Sequence, residues 1–332
     1  MVKVFITGAT GFIAQHIIKL LLEHGHQVVG SVRSQRKGEA LLSRIPRQYA
    51  GQFKYEVVPE LASPDAFDAT LQRHRDIRFL FHTASPCTFD TVHHEQELII
   101  PAVNGTRNIF EAAHKYCPHL KRIVITSSDS AIFSNVDERN NKLFFNEQSW
   151  NSMKYEDALG DSVSAYYMSK VLAEKSAWDF IATRKPVFDL VAVNPSYVYG
   201  PQAFECDPEN LNVTSAMIGN LLKCKYQIEI GGYIDVRDIA KAHLFAMERD
   251  EARGRRLFMT NGYFSTQMML DFINQHFPQL NLPKGNVGSG ERDVSVLARV
   301  DNSATKQLLG WQFGSLETAV VDTVQQILDS RK

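Results

Sequence analysis

The stretch Val2-Lys3-Val4-Phe5-Ile6-Thr7-Gly8-Ala9-Thr10-Gly11-Phe12-Ile13-Ala14 decides the fold. Residues 2–6 form an apolar run short enough for a buried strand. A Gly-rich turn follows. Beyond it Ile13, Ile17, Leu20 and Leu21 recur at i, i+4, i+7 and i+8, one stripe of an amphipathic helix that Gly25 stops. Glycines between a strand and a helix are the context of dinucleotide binding. Gly8 permits the tight turn, Gly11 lets backbone approach a pyrophosphate, and Ala14 is small enough for helix–strand packing. The helix N-terminus then offers unpaired N–H groups to the phosphates. The pattern is GxxGxxA rather than GxGxxG, and a plain strand–turn–helix corner is the reading without a ligand.

The same alternation continues outward. Residues 27–32, 55–58, 79–82, 122–126 and 190–194 are short runs rich in Val, Ile and Phe. Several are continuous rather than alternating, as befits strands covered on both faces. Helical patterns lie between them, including 95–116 and 165–183. This predicts an α/β protein with a doubly wound parallel sheet of the Rossmann type. After Asn194 the rhythm changes: Pro195, Gly200, Pro201 and Pro208 punctuate a loop-rich region, followed by helical patterns at 213–224, 236–248, 266–277 and 316–328. The expectation is a cofactor-binding unit over 1–194, rejoined by about 234–249, and a smaller mixed α/β part over 195–332, mainly for substrate. The stretch 283–293, with Gly285, Gly288 and Gly290, is expected to be a flexible surface loop.

Composition narrows the function. The chain has 332 residues, 44% apolar and 22% charged, with a formal net charge of -1. That excludes disordered, collagenous and disulfide-scaffold classes. A near-zero charge argues against nucleic acid as the main partner. No apolar run approaches the ~20 residues that span a bilayer, and the N-terminal run lacks the pattern of a signal peptide. Cys87, Cys117, Cys206 and Cys224 show no metal-binding spacing, so free, mostly buried thiols in the cytosol are expected, with no metal. The chain is expected to act as a monomer or homodimer.

Three further places carry chemistry. At the end of the second strand, Gly30-Ser31-Val32-Arg33-Ser34-Gln35-Arg36-Lys37 has no acid where an NAD-selective site places one on the ribose hydroxyls. Three cations stand there instead, and a guanidinium suits the 2′-phosphate of NADP. Arg33 is the leading candidate, with Arg36 or Lys37 adding charge; a solvated basic turn is the plain alternative. Next, Tyr166 and Lys170 lie at i and i+4 on one helix face. An adjacent ammonium favours the phenolate of a group whose pKa is otherwise ~10. Finally, Thr126-Ser127-Ser128 stands where a parallel strand delivers side chains to a ligand crevice.

Together the N-terminal GxxGxxA, Thr126-Ser127-Ser128, Tyr166…Lys170 and Asn194-Pro195-Ser196 resemble the extended short-chain dehydrogenase/reductase family. His82-Thr83-Ala84-Ser85-Pro86, Pro101-Ala102-Val103-Asn104-Gly105-Thr106, Gly232-Tyr233-Ile234-Asp235-Val236-Arg237-Asp238 and Leu308-Leu309-Gly310-Trp311 narrow the resemblance. They are similar to the yeast NADPH-dependent methylglyoxal and 3-methylbutanal reductases, and to dihydroflavonol reductase-like enzymes. The resemblance covers nearly the whole chain. It implies Ser128, Tyr166 and Lys170 as a catalytic triad for reducing aldehydes and ketones with NADPH. It implies Gly8, Thr10, Gly11, Phe12 and Ile13 at the pyrophosphate, and Arg33 with Lys37 at the 2′-phosphate. Glu60 and Leu61 would lie by the adenine, where the family usually has Asp and an aliphatic residue. Thr83, Ala84 and Ser85 would lie along the cofactor, with Tyr166, Lys170, Pro195, Ser196 and Val198 toward the nicotinamide.

Phe89, Phe133, Val163, Tyr197 and Tyr199, with Ser128, would line the carbonyl substrate, each also readable as ordinary core. Asp129 departs from the relatives, which often carry an aromatic or small residue there. An inward acid would oppose phenolate formation, so it is expected to point away. Ala102 stands where the classical family has its relay Asn. A nucleotide-sugar epimerase or dehydratase of the same superfamily, or a non-catalytic NADP sensor, shares the fold. The cations near Arg33 argue against the first and the intact triad against the second.

Overall fold

The computed structural model describes residues 1–87 and 89–331. β1 (Lys3–Thr7) runs into α1 (Phe12–Glu23), and strands then alternate with helices: β2 (Gln27–Val32), α2 (Gln35–Arg44), β3 (Phe53–Val57), α3 (Asp68–Arg73), β4 (Phe79–His82), α4 (Ile100–Tyr116), β5 (Arg122–Thr126). A short strand, β6 (Phe144–Asn146), precedes α5 (Ser162–Arg184) and β7 (Asp189–Pro195). The second half holds β8 (Tyr197–Tyr199), α6 (Val213–Leu222), β9 (Ile230–Asp235), α7 (Val236–Glu248), β10 (Arg256–Met259) and β11 (Tyr263–Ser265). It closes with α8 (Thr266–His276), α9 (Gly290–Val294), β12 (Arg299–Asp301), α10 (Ser303–Leu309) and α11 (Leu316–Asp329). None of the described helices is long and apolar enough to cross a membrane.

The main sheet has seven strands in the order β10-β7-β5-β4-β1-β2-β3, all parallel. Its order reverses between β1 and β4, which opens a crevice at the strand ends carrying Thr7 and His82. The continuous apolar strands follow from burial on both faces. Val4 and Ile6 face one core with Ile17, Ile18 and the α7 residues Ile239 and Ala242; Phe5 faces the other with Ile109 and Phe110 of α4. The α1 stripe is turned slightly from the sequence reading. Ala14, Ile17, Ile18, Leu21 and Leu22 are buried, while Ile13 and Leu20 lie at its edge, because α1 packs on both the sheet and α7.

The strand β10 was not apparent in the sequence. It extends the sheet beyond β7, pairing Arg256 with Ala192 and Met259 with Pro195. A separate core of Tyr199, Ile218, Phe264, Ile273 and Val324 joins β8, α6, α8 and α11 in the smaller part. One expectation is met in part and one is corrected: residues 283–289 form an exposed loop, and only 290–293 are helical. The stretch 283–293 is tied to α8: the Gln267 amide donates to Lys284 O at 2.8 Å and accepts from Asn286 N at 2.9 Å, Asp271 accepts from Gly288 N at 3.0 Å, and α9 begins at Gly290. The thiols divide evenly, Cys117 and Cys206 buried, Cys87 and Cys224 exposed. Residue 332, the end of the expected C-terminal part, lies outside the described residues.

Candidate active site

The crevice has two ends. At the first, Gly8 adopts φ +66°, and a Cβ there would stand 3.0 Å from Ala84 Cα. Backbone thus passes backbone with no room for a side chain, the cradle a pyrophosphate needs. Gly11 precedes α1 and supplies no side-chain cap, so the first N–H groups of the helix stay free for an anion. Thr10, Gly11 and Phe12 face Gln202, Asn210 and Asn212 across a cleft. Arg33, Arg36 and Lys37 are exposed at the end of β2. Among the described residues no carboxylate lies within ion-pair distance of them. Free cations around a glycine cradle fit a cofactor with a 2′-phosphate.

The crevice walls connect this end to the other. Thr83 donates to Thr7 O at 2.6 Å, and Thr7 Oγ1 accepts from Ala84 N at 3.1 Å. Thr7 also meets His82 at 2.9 Å, and His82 meets Thr106 at 3.3 Å. Burial lowers the His82 pKa to about 3, so the ring is neutral. Leu61 packs against Gly105, where a Cβ would stand 1.7 Å from Leu61 Cδ1. Asn108 holds Leu61 O at 3.0 Å. Glu60 is exposed and accepts from Ala62 N, within its own turn.

The other end lies where β5, α5 and β7 meet. Asp161 caps α5, accepting from Ser164 N at 2.9 Å, and the helix presents Tyr166 and Lys170 toward Ser128. Lys170 is buried, and its Nζ is 5.5 Å from the Tyr166 ring centre. Loss of water lowers the Lys170 pKa, opposed by Cys87 and Glu174. Loss of water, then Cys87 and Asp129, pushes the Tyr166 phenol well above its ordinary value, against a hydrogen-bonding pull from Ser128. The sequence predicts a phenol lowered by Lys170; in the structure loss of water acts the other way and raises it.

Behind the triad lies a buried network that sequence reasoning missed. Glu174, one turn beyond Lys170, accepts from Ser127 at 2.6 Å, from Asn194 at 2.7 Å and from Arg256 at 2.6 Å. Asn194 also donates to Ser128 O at 3.0 Å, which ties the end of β5 to β7. Arg256 lies over the Trp150 ring at 4.0 Å and donates to Ser149 O and Glu147 O. In the sequence the sole hint was Glu174 at i+4 from Lys170.

Asp129 corrects an expectation outright: it points inward. It is 6% exposed, and Ser128 Oγ lies 3.1 Å from its Oδ1. Burial raises its carboxyl pKa, which the Ser196 and Ser128 hydroxyls pull back. Glu138 is raised too, by burial and then by Asp129, and accepts from Tyr167 OH at 3.1 Å.

The profile of the NAD dependent epimerase/dehydratase family matches residues 4–258, from β1 into β10. The chain belongs to that family. Within the epimerase/dehydratase family it is similar to NADPH-dependent methylglyoxal reductase GRE2 of Saccharomyces cerevisiae, 43% identical over 337 residues that cover 98% of each chain. A crystal structure of yeast methylglyoxal/isovaleraldehyde reductase Gre2 complexed with NADPH superposes with a TM-score of 0.94 at 42% identity, covering 99% of each chain. Gre2 from Candida albicans, also complexed with NADPH, gives 0.93 at 39% identity, covering 100% of each.

On this epimerase/dehydratase frame the expected substrate residues divide. Phe89 is 41% exposed with its ring 5.5 Å from that of Tyr166, Tyr197 stands near the same phenol, and Val163 is exposed in the first turn of α5. Phe133 packs between Phe145 and Phe258, and Tyr199 is fully buried against Phe264. Both are core, since β6, β10 and β11 close over them. Of the nicotinamide-side residues, Ser196 lies by Asp129 and is held to β10 by Met259 O. Val198 is buried in the sheet's core, with its carbonyl bound by Thr214.

Proposed function

We propose that this protein is an NADPH-dependent carbonyl reductase, converting aldehydes and ketones to alcohols with Tyr166 as the proton donor. The reading rests on one arrangement above all. Ser128 and Lys170 flank Tyr166 at one end of the crevice, and Arg33, Arg36 and Lys37, with no ion-pair partner among the described residues, stand at the other. NADPH, when bound, supplies the hydride. The Gly8–Gly11 turn holds its pyrophosphate, Arg33 and Lys37 its 2′-phosphate, and Lys170 its ribose hydroxyls. Ser128 donates a hydrogen bond to the carbonyl oxygen, where negative charge develops. Tyr166, kept protonated by burial, gives its proton to that oxygen.

Residues 1–194 with 234–249 serve the cofactor and 195–332 mainly the substrate, in a cytosolic monomer or homodimer. Phe89, Val163 and Tyr197 form an apolar, aromatic rim suited to small and medium carbonyl compounds, the class named in the relatives' activities. The test is NADPH oxidation, followed optically, over aliphatic aldehydes, dicarbonyls and aryl ketones. Turnover with at least one class is expected, and faster with NADPH than with NADH. No carbonyl-dependent oxidation with any class would sink the proposal.

A further inference from the structure

Ser128 has one hydroxyl proton and more than one place to send it. Its Oγ lies 3.1 Å from Asp129 Oδ1 and 3.1 Å from Ser130 Oγ, and it accepts from Ser130 N at 3.2 Å. A carboxylate only accepts, and a charge-assisted bond to it outcompetes a neutral one. While Asp129 is ionised, the Ser128 proton is committed to it. A protonated Asp129 donates to Ser128 Oγ instead, and the serine proton is released toward the crevice. We propose that Asp129 is a positioning residue that sets the direction of the Ser128 hydroxyl, toward itself as a carboxylate and toward the substrate carbonyl oxygen as an acid. This rests on the reductase reading above and adds a control that the triad alone lacks.

The surroundings of Asp129 make both forms accessible near neutrality. From α5 it is faced by Tyr166 and Tyr167, from β8 by Tyr197, and from the segment after β5 by Glu138. The phenols carry no charge at neutral pH, and Glu138 disfavours a second anion. Of the cations on these elements, Lys170 and Arg139 stand nearest the site, Lys175 lies over Trp150 and Arg184 pairs with Glu111; among the described residues none pairs with Asp129. With 6% exposure and no cation, the carboxyl is held above its ordinary range, while the Ser128 and Ser196 hydroxyls keep ionisation within reach. Acid therefore favours the productive serine orientation, and base withdraws it.

The experiment is kcat/KM for NADPH-dependent reduction of one active carbonyl substrate between about pH 5 and pH 8. In the native protein it should fall at least tenfold across that range as Asp129 ionises. In Asp129→Asn, which keeps the shape, and in Asp129→Ala, which removes the acceptor, that fall should vanish while the Kd for NADPH is unchanged. In a Ser128→Ala background the Asp129→Asn change should have no effect on the pH profile. A native-like fall in both Asp129 variants overturns the proposal. So does an Asp129→Asn effect that survives without Ser128. A native protein with no carbonyl-dependent turnover at any pH would instead refute the reductase reading.

Discussion

The two ends of the crevice are held by different physics. The phosphate end is backbone and solvent-facing charge: Gly8 at φ +66°, the uncapped start of α1, and exposed Arg33, Arg36 and Lys37. The reacting end is sealed. Lys170 is 8% exposed, Asp129 6% and Glu174 1%, and Asp129 and Glu174 depend on partners brought in from β7, β10 and the residue after β7. Glu174 reaches Arg256 across 82 residues of sequence. A charge in water acts at a distance and is screened, so on the proposed reading the end near Arg33 tunes affinity. A charge out of water must be partnered, so the reacting end couples chemistry to folding.

The largest expected effect lies at the sealed end. Tyr166→Phe removes one oxygen and leaves the packing, so NADPH binding should survive while kcat falls ~10²–10⁴-fold, the usual contribution of a general acid. Tyr167, whose OH donates to Glu138, is the internal control: Tyr167→Phe should keep turnover. If Tyr167→Phe were dead and Tyr166→Phe active, the wrong face of α5 would have been assigned. Next in size is Glu174→Ala. It leaves the Arg256 guanidinium, 9% exposed, without a counter-charge, and breaking such a buried pair costs about 3–5 kcal/mol. The exposed pair Arg184–Glu111, also at 2.6 Å, gives the contrast; Glu111→Ala should cost less than about 1 kcal/mol. Urea unfolding of the two variants measures both. Equal losses would show that the network behind the triad is not structurally coupled.

This difference also explains which parts were legible in the sequence. The roles proposed for Gly8, Gly11 and Arg33 rest on local backbone and charge, which nearby residues in the sequence display. The spacing of Tyr166 and Lys170 is legible because the two share a helix. The direction of Asp129 was not, since it depends on how Ser196 and Glu138 close around it. Nor was β10, whose four residues contain the charged Arg256 and carry no alternation. Phe133 and Tyr199 look the same in sequence whether they line a pocket or fill a core. Only the closure of β6, β10 and β11 over them decides it.

The smallest effect belongs to the open end and tests whether it discriminates at all. Arg33 is exposed and has no ion-pair partner among the described residues, so Arg33→Ala should leave unfolding stability unchanged. A charge-assisted bond to a 2′-phosphate contributes about 1.5–3 kcal/mol, roughly a tenfold or larger preference for NADPH over NADH. Removing it should raise KM for NADPH by about that factor and leave KM for NADH in place, because NADH carries no 2′-phosphate. Lys37→Ala should do the same more weakly, since an ammonium offers a point charge where a guanidinium offers a fork. Both losses should shrink as salt is raised, unlike the loss in Tyr166→Phe, which no salt should move. If Arg33→Ala raised both KM values equally, Arg33 would be shaping the turn rather than reading the phosphate.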